Sequence, residues 1–301
     1  VSVAQVKGQL ASCRILPRIP ALRSTLRSMV DAVVCGAGAA GLAAGAALRK
    51  AGAEVVVLER TDQVAASWRS RYPALRLNTP GWMSTQPGFR AKRRRYGEYP
   101  TRDEWIRYLE EYTAHHQLDV RFRTEVERIS RGAGTWLVHT SDGVIESPTV
   151  VMATGFDHDP YLPDWPGKEG FTGDLIHASE YVDPTPYRGR DVLVVGPGVT
   201  GTELAFHLVE GGAARVRVSS RTSPHFYQRK WLGVPMQILG IPLNHLPLRV
   251  ADVATWSTER IIFGDLAPHG LPRPSVGMGT RIERNQQSPA CDDGFVAALK
   301  A

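Results

Sequence analysis

The feature that most restricts the fold of this chain is a short strand that runs into a glycine-rich turn and then a helix. Residues 31–35 form a mostly apolar, β-prone run, and residues 42–51 form a helical stretch rich in alanine and leucine. The turn between them carries three glycines, Gly36, Gly38 and Gly41. A second apolar strand, 53–58, follows the helix. This order of strand, glycine turn, helix and strand is that of a dinucleotide-binding βαβ segment.

Each glycine of this turn has a physical task in such a segment. Gly36 allows the tight turn, Gly38 lets backbone N–H groups approach a diphosphate, and Gly41 lets the helix pack closely on the strand. The diphosphate then lies at the helix N-terminus, where free amides and the helix dipole favour negative charge. Glu59 ends the second strand, where it can accept hydrogen bonds from a ribose, and Arg60 follows it. We therefore predict that this segment binds FAD.

The same design recurs in the middle of the chain. A strand at 191–195 leads into a turn and a helix at 202–210, and a second strand covers 214–219. The glycines of this turn are Gly196, Gly198 and Gly201. Ser220 and Arg221 stand where the first segment has its acidic residue. Because their donors and positive charge suit a 2′-phosphate, we predict that the second segment binds NADPH.

Two such segments predict an α/β fold with two Rossmann-like dinucleotide-binding domains, in which parallel sheets are flanked by helices. We expect the NADPH domain to be inserted into the FAD domain. Prolines concentrate between the two segments, which predicts an extended hinge. The predicted boundaries are 1–28 for a basic N-terminal extension, 29–160 for the FAD-binding domain, 161–186 for the hinge, 187–262 for the NADP-binding domain and 263–301 for a segment that returns toward the FAD domain.

Composition and charge argue against several other classes of protein. The net charge is +6, but five basic residues and no acid lie in residues 1–28, so the rest of the chain lacks the basic footprint that nucleic-acid binding needs. The longest uncharged stretch, 32–48, is too short and too weakly apolar for a transmembrane span. Cys13, Cys35 and Cys291 lie far apart without a CxxC motif. We therefore expect a cytoplasmic protein with no disulfide framework and no metal site.

A flavin site in the same chain as a nicotinamide site implies hydride transfer from one cofactor to the other. The reduced flavin then needs an electron acceptor. A disulfide reductase would require a pair of cysteines near the flavin, and no two of the three cysteines are close in sequence. Dioxygen is the simplest acceptor that needs no further redox group in the protein.

Several other segments resemble one enzyme family. Residues 171–181, FTGDLIHASEY, fit the FxGxxxHxxx(Y/F) fingerprint of the flavin-containing monooxygenases. Residues 153–156, ATGF, are similar to the strand end at which the chain of these enzymes leaves the FAD domain. Residues 67–72 and 75–80 resemble the region after the first turn in bacterial and plant-type members. The resemblance runs from about residue 30 to the end of the chain.

The resemblance implies an enzyme in which NADPH reduces FAD and dioxygen adds to the flavin as a hydroperoxide. One oxygen atom then passes to a small nucleophilic organic substrate that contains nitrogen or sulfur. By the same resemblance, Asn78 is the candidate catalytic residue beside the flavin, while Trp68 and Arg69 shape the near side of the cofactor. Thr154 and Gly155 are further cofactor-binding candidates at the strand end.

Two residues of the fingerprint have more specific implications within this family. His177 is expected to organise the hinge and the placement of NADP rather than to transfer protons. Tyr181 stands where the related Baeyer–Villiger monooxygenases typically carry tryptophan, which favours oxygenation of a heteroatom over that of a ketone.

Two alternatives remain open. Family members usually continue for several dozen residues and add strands to the FAD domain, whereas this sequence ends at residue 301 on a predicted helix, 291–301. One alternative is therefore a truncated, inactive dinucleotide-binding remnant, and the other is a Baeyer–Villiger-type monooxygenase. For residues 1–28, we favour an extension upstream of Met29 over an organellar transit peptide.

Overall fold

The computed structural model describes residues 29–156, 159–285 and 288–301 of the chain. It divides into two units between Val182 and Asp183, within the segment 161–186 that we predict to be the hinge. The extension predicted for residues 1–28 lies outside the described residues. None of the described helices is long and apolar enough to cross a membrane.

A four-stranded parallel sheet lies at the centre of the first unit, with strand order β3-β2-β1-β7. Its strands are β1 (Ala32–Cys35), β2 (Val55–Leu58), β3 (Asp119–Arg121) and β7 (Thr149–Met152). Helix α1 (Ala39–Lys50) connects β1 to β2. All four residues of β1 are buried, because a continuous apolar strand fits a parallel sheet that is covered on both faces.

Helices cover one face of this sheet and a small antiparallel sheet covers the other. The longest helix of the first unit, α5 (Arg102–His115), packs with α1 in a core that includes Val34, Leu42 and Leu109. The helices α2 (Ala66–Arg69), α3 (Gly81–Ser84) and α4 (Arg93–Tyr96) are each one turn long. The antiparallel sheet consists of β4 (Val126–Arg131), β5 (Trp136–Thr140) and β6 (Gly143–Ser147). Val138 of β5 packs in one cluster with Val33 and Val56.

The second unit repeats the βαβ arrangement. Strand β8 (Asp191–Val195) pairs in parallel with β9 (Arg215–Ser219), and α6 (Val199–Glu210) connects them. Strand β10 (Phe226–Gln228) comes next, followed by a short hairpin of β11 (Lys230–Trp231) and β12 (Val234–Pro235). Three helices follow the hairpin, namely α7 (Met236–Gly240), α8 (Leu248–Phe263) and α9 (Met278–Asn285). Two Rossmann-like βαβ segments with parallel strands confirm the predicted α/β fold class.

The C-terminal residues of the chain differ from the predicted helix at 291–301. Strand β13 (Ala290–Asp292) pairs in parallel with β10, and only α10 (Phe295–Lys300) is helical. The helix starts late because Gly294 has φ +138° and the Asp292 carboxylate accepts a hydrogen bond from the Val296 N–H at 2.8 Å. Residues 263–301 thus pack within the second unit, and their assignment as a returning segment stays a prediction.

Candidate functional site

Two of the three glycines in the first turn are required by the fold itself. Gly36 has φ +106°, and a Cβ atom there would lie 2.5 Å from the Ala153 carbonyl oxygen. Its N–H donates to the Leu58 carbonyl at 2.7 Å, which joins the turn to the end of β2. A Cβ atom at Gly41 would lie only 1.9 Å from the Gly36 carbonyl oxygen. Any side chain at either position would therefore force the turn, the helix and β7 apart.

Gly38 differs from Gly36 and Gly41 because nothing in the described part of the chain requires a glycine there. Its backbone is extended, with φ −79° and ψ 179°, and a Cβ atom would meet no atom within 4 Å. Gly38 is also the N-cap of α1, which has neither a side-chain cap nor an acid in its first turn. The first amides of the helix and its positive dipole end are therefore left for a ligand. This open cradle fits the diphosphate of a dinucleotide.

Glu59 lies at the end of β2 and is only 8% exposed. Its Oε2 accepts a hydrogen bond from the Ala37 N–H at 2.9 Å, and its Oε1 accepts from both the N–H and the hydroxyl of Thr61 at 3.0 Å. The carboxylate thus links the glycine turn to the loop after β2. A carboxylate has about four acceptor positions, so one on Oε2 is left for a ribose hydroxyl. Arg60 is exposed beside it.

The predicted strand end after β7 lies against the same turn. The Ala153 N–H donates to the Cys35 carbonyl at 2.9 Å, and the Thr154 Cα lies 3.4 Å from where a Cβ of Gly36 would stand. Thr154 and Gly155 are exposed, and Gly155 has φ +89°. The structure therefore brings these two residues to the carboxyl edge of the sheet beside the glycine turn, where ligands of open α/β sheets bind.

Trp68 and Arg69 lie on α2, and the turn before this helix is tied to the glycine turn by a bond from the Ala65 N–H to the Ala37 carbonyl at 3.0 Å. Arg69 donates from Nε to the Val64 carbonyl at 3.0 Å and forms an ion pair with Glu110 of α5. Its guanidinium thus secures α2 to α5, and contact with a cofactor stays a prediction.

Asn78 is half-buried in a loop that is fixed on both sides. The Leu77 N–H donates to the Pro100 carbonyl, and the Gly81 N–H donates to the Glu98 carbonyl, each at 2.8 Å. Thr101 in turn caps α5, since its hydroxyl accepts from the Glu104 N–H. This support suits a side chain that must hold one orientation, and the catalytic role of Asn78 stays a prediction.

His177 caps a single 3₁₀ turn, Ala178–Glu180, in the first unit. Its Nδ1 accepts a hydrogen bond from the Ser179 N–H at 3.1 Å. Tyr181 is buried and packs edge-on against Tyr72, with ring centroids 5.9 Å apart. His177 therefore organises the local backbone, and Tyr181 packs this segment against Tyr72. A role of His177 in NADP placement stays a prediction.

The second glycine turn has the same internal geometry as the first. Gly196 has φ +99° and donates its N–H to the Ser219 carbonyl at 2.9 Å. A Cβ atom at Gly201 would lie 1.9 Å from the Gly196 carbonyl oxygen, whereas one at Gly198 would meet no atom within 4 Å. Gly198 is the N-cap of α6, which again lacks a side-chain cap and a first-turn acid. A second cradle for a diphosphate therefore stands here.

The strand ends of the two units carry opposite charges. The Ser220 hydroxyl donates to the Thr222 carbonyl at 2.5 Å, which closes a tight turn after β9. Arg221 is exposed, and no carboxylate among the described residues forms an ion pair with it. An exposed guanidinium without such an ion pair can bind a phosphate, whereas the Glu59 carboxylate in the first unit would repel one.

The sequence predicted the glycines and the acid but not the groups that hold the acid. Thr61 and the Ala37 amide fix the orientation of Glu59 from opposite sides. The signal available in the sequence was a threonine two residues after the strand-end glutamate. The Ala37 contact has no such signal, because it joins two segments 22 residues apart.

Comparisons with known proteins agree with this geometry. Residues 33–232 match the family described as pyridine nucleotide-disulphide oxidoreductase. The probable indole-3-pyruvate monooxygenase YUCCA1 of Arabidopsis thaliana is 34% identical over 275 residues, which cover 89% of this chain and 66% of that protein. The indole-3-pyruvate monooxygenase YUCCA1 of Oryza sativa subsp. japonica is 34% identical over 277 residues, which cover 90% of this chain and 67% of that protein. The chain thus spans about two thirds of the length of these curated relatives.

A solved structure of the flavin-containing monooxygenase from Stenotrophomonas maltophilia superposes with a TM-score of 0.63 at 29% identity, over 70% of this chain and 63% of that one. These similarities agree with the two glycine turns and the parallel strands described above. The chain therefore belongs to the pyridine nucleotide-disulphide oxidoreductase family and, within it, to the flavin-containing monooxygenases.

Proposed function

We propose that this protein is an FAD- and NADPH-dependent monooxygenase that transfers one atom of dioxygen to a small organic substrate. The observation that carries the proposal is the pair of open glycine cradles with opposite strand-end charges, Glu59 in the first unit and Arg221 in the second. FAD at the first cradle supplies the chemistry of hydride acceptance and oxygen activation. NADPH supplies a hydride and solvent supplies a proton, so that one atom of dioxygen enters the substrate and the other leaves as water.

The residues of the first unit would bind and orient the flavin dinucleotide. The amides of the turn at Gly38 would hold its diphosphate, and Glu59 would accept from its ribose. Asn78 would present a fixed polar side chain to the flavin ring, and the carboxyl edge of the sheet at Thr154 and Gly155 would lie beside it. These roles follow from the arrangement described above and from the family resemblance.

The state of the two cysteines that the structure describes supports an oxygenase over a dithiol-based reductase. Cys35 and Cys291 are buried, each in a strand of a different unit. Burial raises the pKa of the Cys35 thiol above its ordinary value and raises the pKa of Cys291 to about 12. Because the thiolate is the nucleophile in disulfide exchange, neither group suits that chemistry at neutral pH.

For the substrate, we propose a small nucleophile that contains nitrogen or sulfur. The curated relatives carry names that refer to indole-3-pyruvate, so a 2-oxo acid of this type is the second candidate. Amines, thioethers, ketones and indole-3-pyruvate therefore form the set of compounds to be tested. If the oxygen atom is instead inserted beside the carbonyl group of a ketone, the Baeyer–Villiger alternative is assigned.

The proposal is tested with the purified 301-residue protein. The absorption spectrum is expected to show bound flavin near one per chain, and NADPH in air-saturated buffer is expected to bleach it until oxygen restores it. With ¹⁸O₂ and each candidate substrate, mass spectrometry is expected to find one labelled oxygen in the product. A colourless protein that cannot be loaded with FAD would overturn the proposal for this chain.

Arg221 is expected to select NADPH over NADH. Arg221→Ala removes a guanidinium that pairs with the 2′-phosphate, a charge-assisted contact worth about 1.5–3 kcal/mol. The KM for NADPH is therefore expected to rise at least about tenfold, while the KM for NADH stays within about twofold. Steady-state kinetics with both cofactors measure this difference, and an equal rise for both would contradict the assignment.

A further inference from the structure

Arg281, on α9 of the second unit, is a buried cation whose charge the described protein does not neutralise. The residue is only 7% exposed. Its Nη1 donates to the Ser223 carbonyl at 2.7 Å, which is the only hydrogen bond that its guanidinium makes with the described residues. No carboxylate in this part of the chain forms an ion pair with it. A buried charge without a counter-ion is costly, and a bound anion would offset that cost.

Arg281 lines a narrow cleft together with the second glycine turn. The walls of the cleft include Pro197 and Gly198 of that turn, with Pro224 and His225 before β10. Gly198 is also the N-cap of the twelve-residue helix α6. The positive end of this helix and the Arg281 guanidinium therefore meet in one cleft. Two separate sources of positive potential thus face the same space.

Two acidic side chains contact residues beside Arg281 or in the wall of its cleft, and both bind other partners. Glu259 accepts at Oε2 from His225 Nδ1 at 2.9 Å and at Oε1 from the Phe226 N–H at 2.7 Å. Asp252 accepts at Oδ1 from the Thr280 N–H at 3.0 Å and at Oδ2 from the Thr280 hydroxyl at 2.5 Å. Neither carboxylate forms an ion pair with Arg281, so the remaining donors of its guanidinium are not used by these two acids.

The position of Arg281 is fixed by the way α9 docks on α8. Asp252 of α8 binds the first turn of α9 through Thr280, the residue before Arg281. A Cβ atom at Gly277 would lie 2.1 Å from the Asp252 carboxyl carbon, so the chain before α9 must pass directly over this side chain. The Arg281 N–H then donates to the Gly277 carbonyl at 2.9 Å. This support holds the guanidinium at the cleft.

We infer that Arg281 binds the diphosphate of the nicotinamide dinucleotide at the second glycine turn, an inference that rests on the proposed NADPH site. Guanidinium binds phosphate oxygens through paired N–H donors, and the turn amides at Gly198 line the same cleft. The role differs from that of Arg221, because the diphosphate is common to NADPH and NADH whereas the 2′-phosphate is not. Arg281 therefore adds affinity for both dinucleotides, and Arg221 chooses between them.

The test is calorimetric titration of the 301-residue chain with NADP⁺, NAD⁺, inorganic pyrophosphate and adenosine 2′-monophosphate. Arg281→Gln is expected to weaken binding of the first three about ten- to hundredfold, since one charge-assisted contact is lost. Binding of adenosine 2′-monophosphate, which has no diphosphate, is expected to stay within about twofold. Arg221→Ala is the matched control. It is expected to weaken binding of NADP⁺ and adenosine 2′-monophosphate and to leave binding of NAD⁺ and pyrophosphate unchanged.

Two further variants keep the inference open to refutation. Arg281→Lys keeps the charge but loses the paired donors, so we expect its affinity for pyrophosphate to fall about three- to tenfold. If Arg281→Gln does not fold, this variant tests the inference in its place. Gly198→Ala alters another residue of the same cleft and leaves Arg281 in place, and it should weaken binding of the same three ligands. If folded Arg281 variants bind NADP⁺ and pyrophosphate with wild-type affinity, the inference about Arg281 is overturned. The proposed function of the protein is not affected by that result. A wild-type chain that binds pyrophosphate but not NADP⁺ would overturn the proposed function and leave the Arg281 anion site standing.

Discussion

Gly38→Val is expected to yield a folded protein that has lost its yellow colour. The backbone at Gly38 is extended and a Cβ atom meets nothing within 4 Å, so the fold accepts a side chain there. The valine methyl groups would occupy the space at the start of α1 in which the diphosphate of FAD must lie. Stability is expected to fall by only about 1 kcal/mol, because valine is a poorer N-cap than glycine. Flavin content per chain, read from the absorption spectrum, measures the effect.

The second turn supplies the matched control for this prediction. Gly198→Val makes the same change at the equivalent position of α6, where the surroundings are equally open. It is expected to retain flavin and lose NADP⁺ binding, whereas Gly38→Val loses flavin and retains NADP⁺ binding. Gly41→Ala, which would bring a methyl carbon to 1.9 Å from the Gly36 carbonyl oxygen, is expected to disrupt the fold itself. Normal flavin content in Gly38→Val would mean that the first turn is only structural.

Glu59→Gln is expected to lower both the stability of the first unit and its affinity for flavin. The buried carboxylate accepts three hydrogen bonds, one from Ala37 and two from Thr61. Glutamine has the same shape, but its NH₂ group would face one of these donors and leave it unpaired. Hydrogen bonds to a charged group are worth about 1.5–3 kcal/mol, and a buried unpaired donor costs about 1–3 kcal/mol. The expected loss is therefore about 2–4 kcal/mol in the free energy of unfolding.

Urea unfolding of the flavin-free protein, followed by tryptophan fluorescence, separates this loss of stability from the loss of the ligand. Glu110→Gln is the control, because it makes the same chemical change in an ion pair with Arg69 whose acidic side chain is 49% exposed. An exposed pair of this kind contributes about 0–1 kcal/mol. Equal stability of Glu59→Gln and the wild-type chain would show that the bonds to Ala37 and Thr61 carry little free energy.

The sequence predicted the fold class and the family correctly, and the reason lies in the two turns. A tight turn with φ near +100°, as at Gly36 and Gly196, needs glycine, and close packing of helix on strand needs another glycine five residues later. Because these requirements act within a few residues, they appear in the sequence as a fixed spacing of glycines. The apolar strand before each turn is equally local. The roles assigned to individual site residues stay predictions, and the variants above test those of Gly38, Glu59, Gly198 and Arg221.

The C-terminal residues show where local reading of the sequence was insufficient. The stretch 291–301 is apolar enough to suggest one helix, but its first residues pair as β13 with β10. That pairing joins Tyr227 to Cys291 across more than sixty residues of chain. Short apolar segments adopt strand or helix according to the partner that tertiary structure offers them.

By itself, the sequence determined the two glycine turns, the strands and helices around them, and the contrast between Glu59 and Arg221, because each depends on neighbouring residues. Only the tertiary structure decided that the Ala37 amide holds Glu59, that Arg69 is engaged by Glu110, and that Arg281 enters the cleft beside Gly198. These contacts join elements far apart in the chain. Their formation depends on how helices and sheets pack, and that packing leaves no fixed spacing in the sequence.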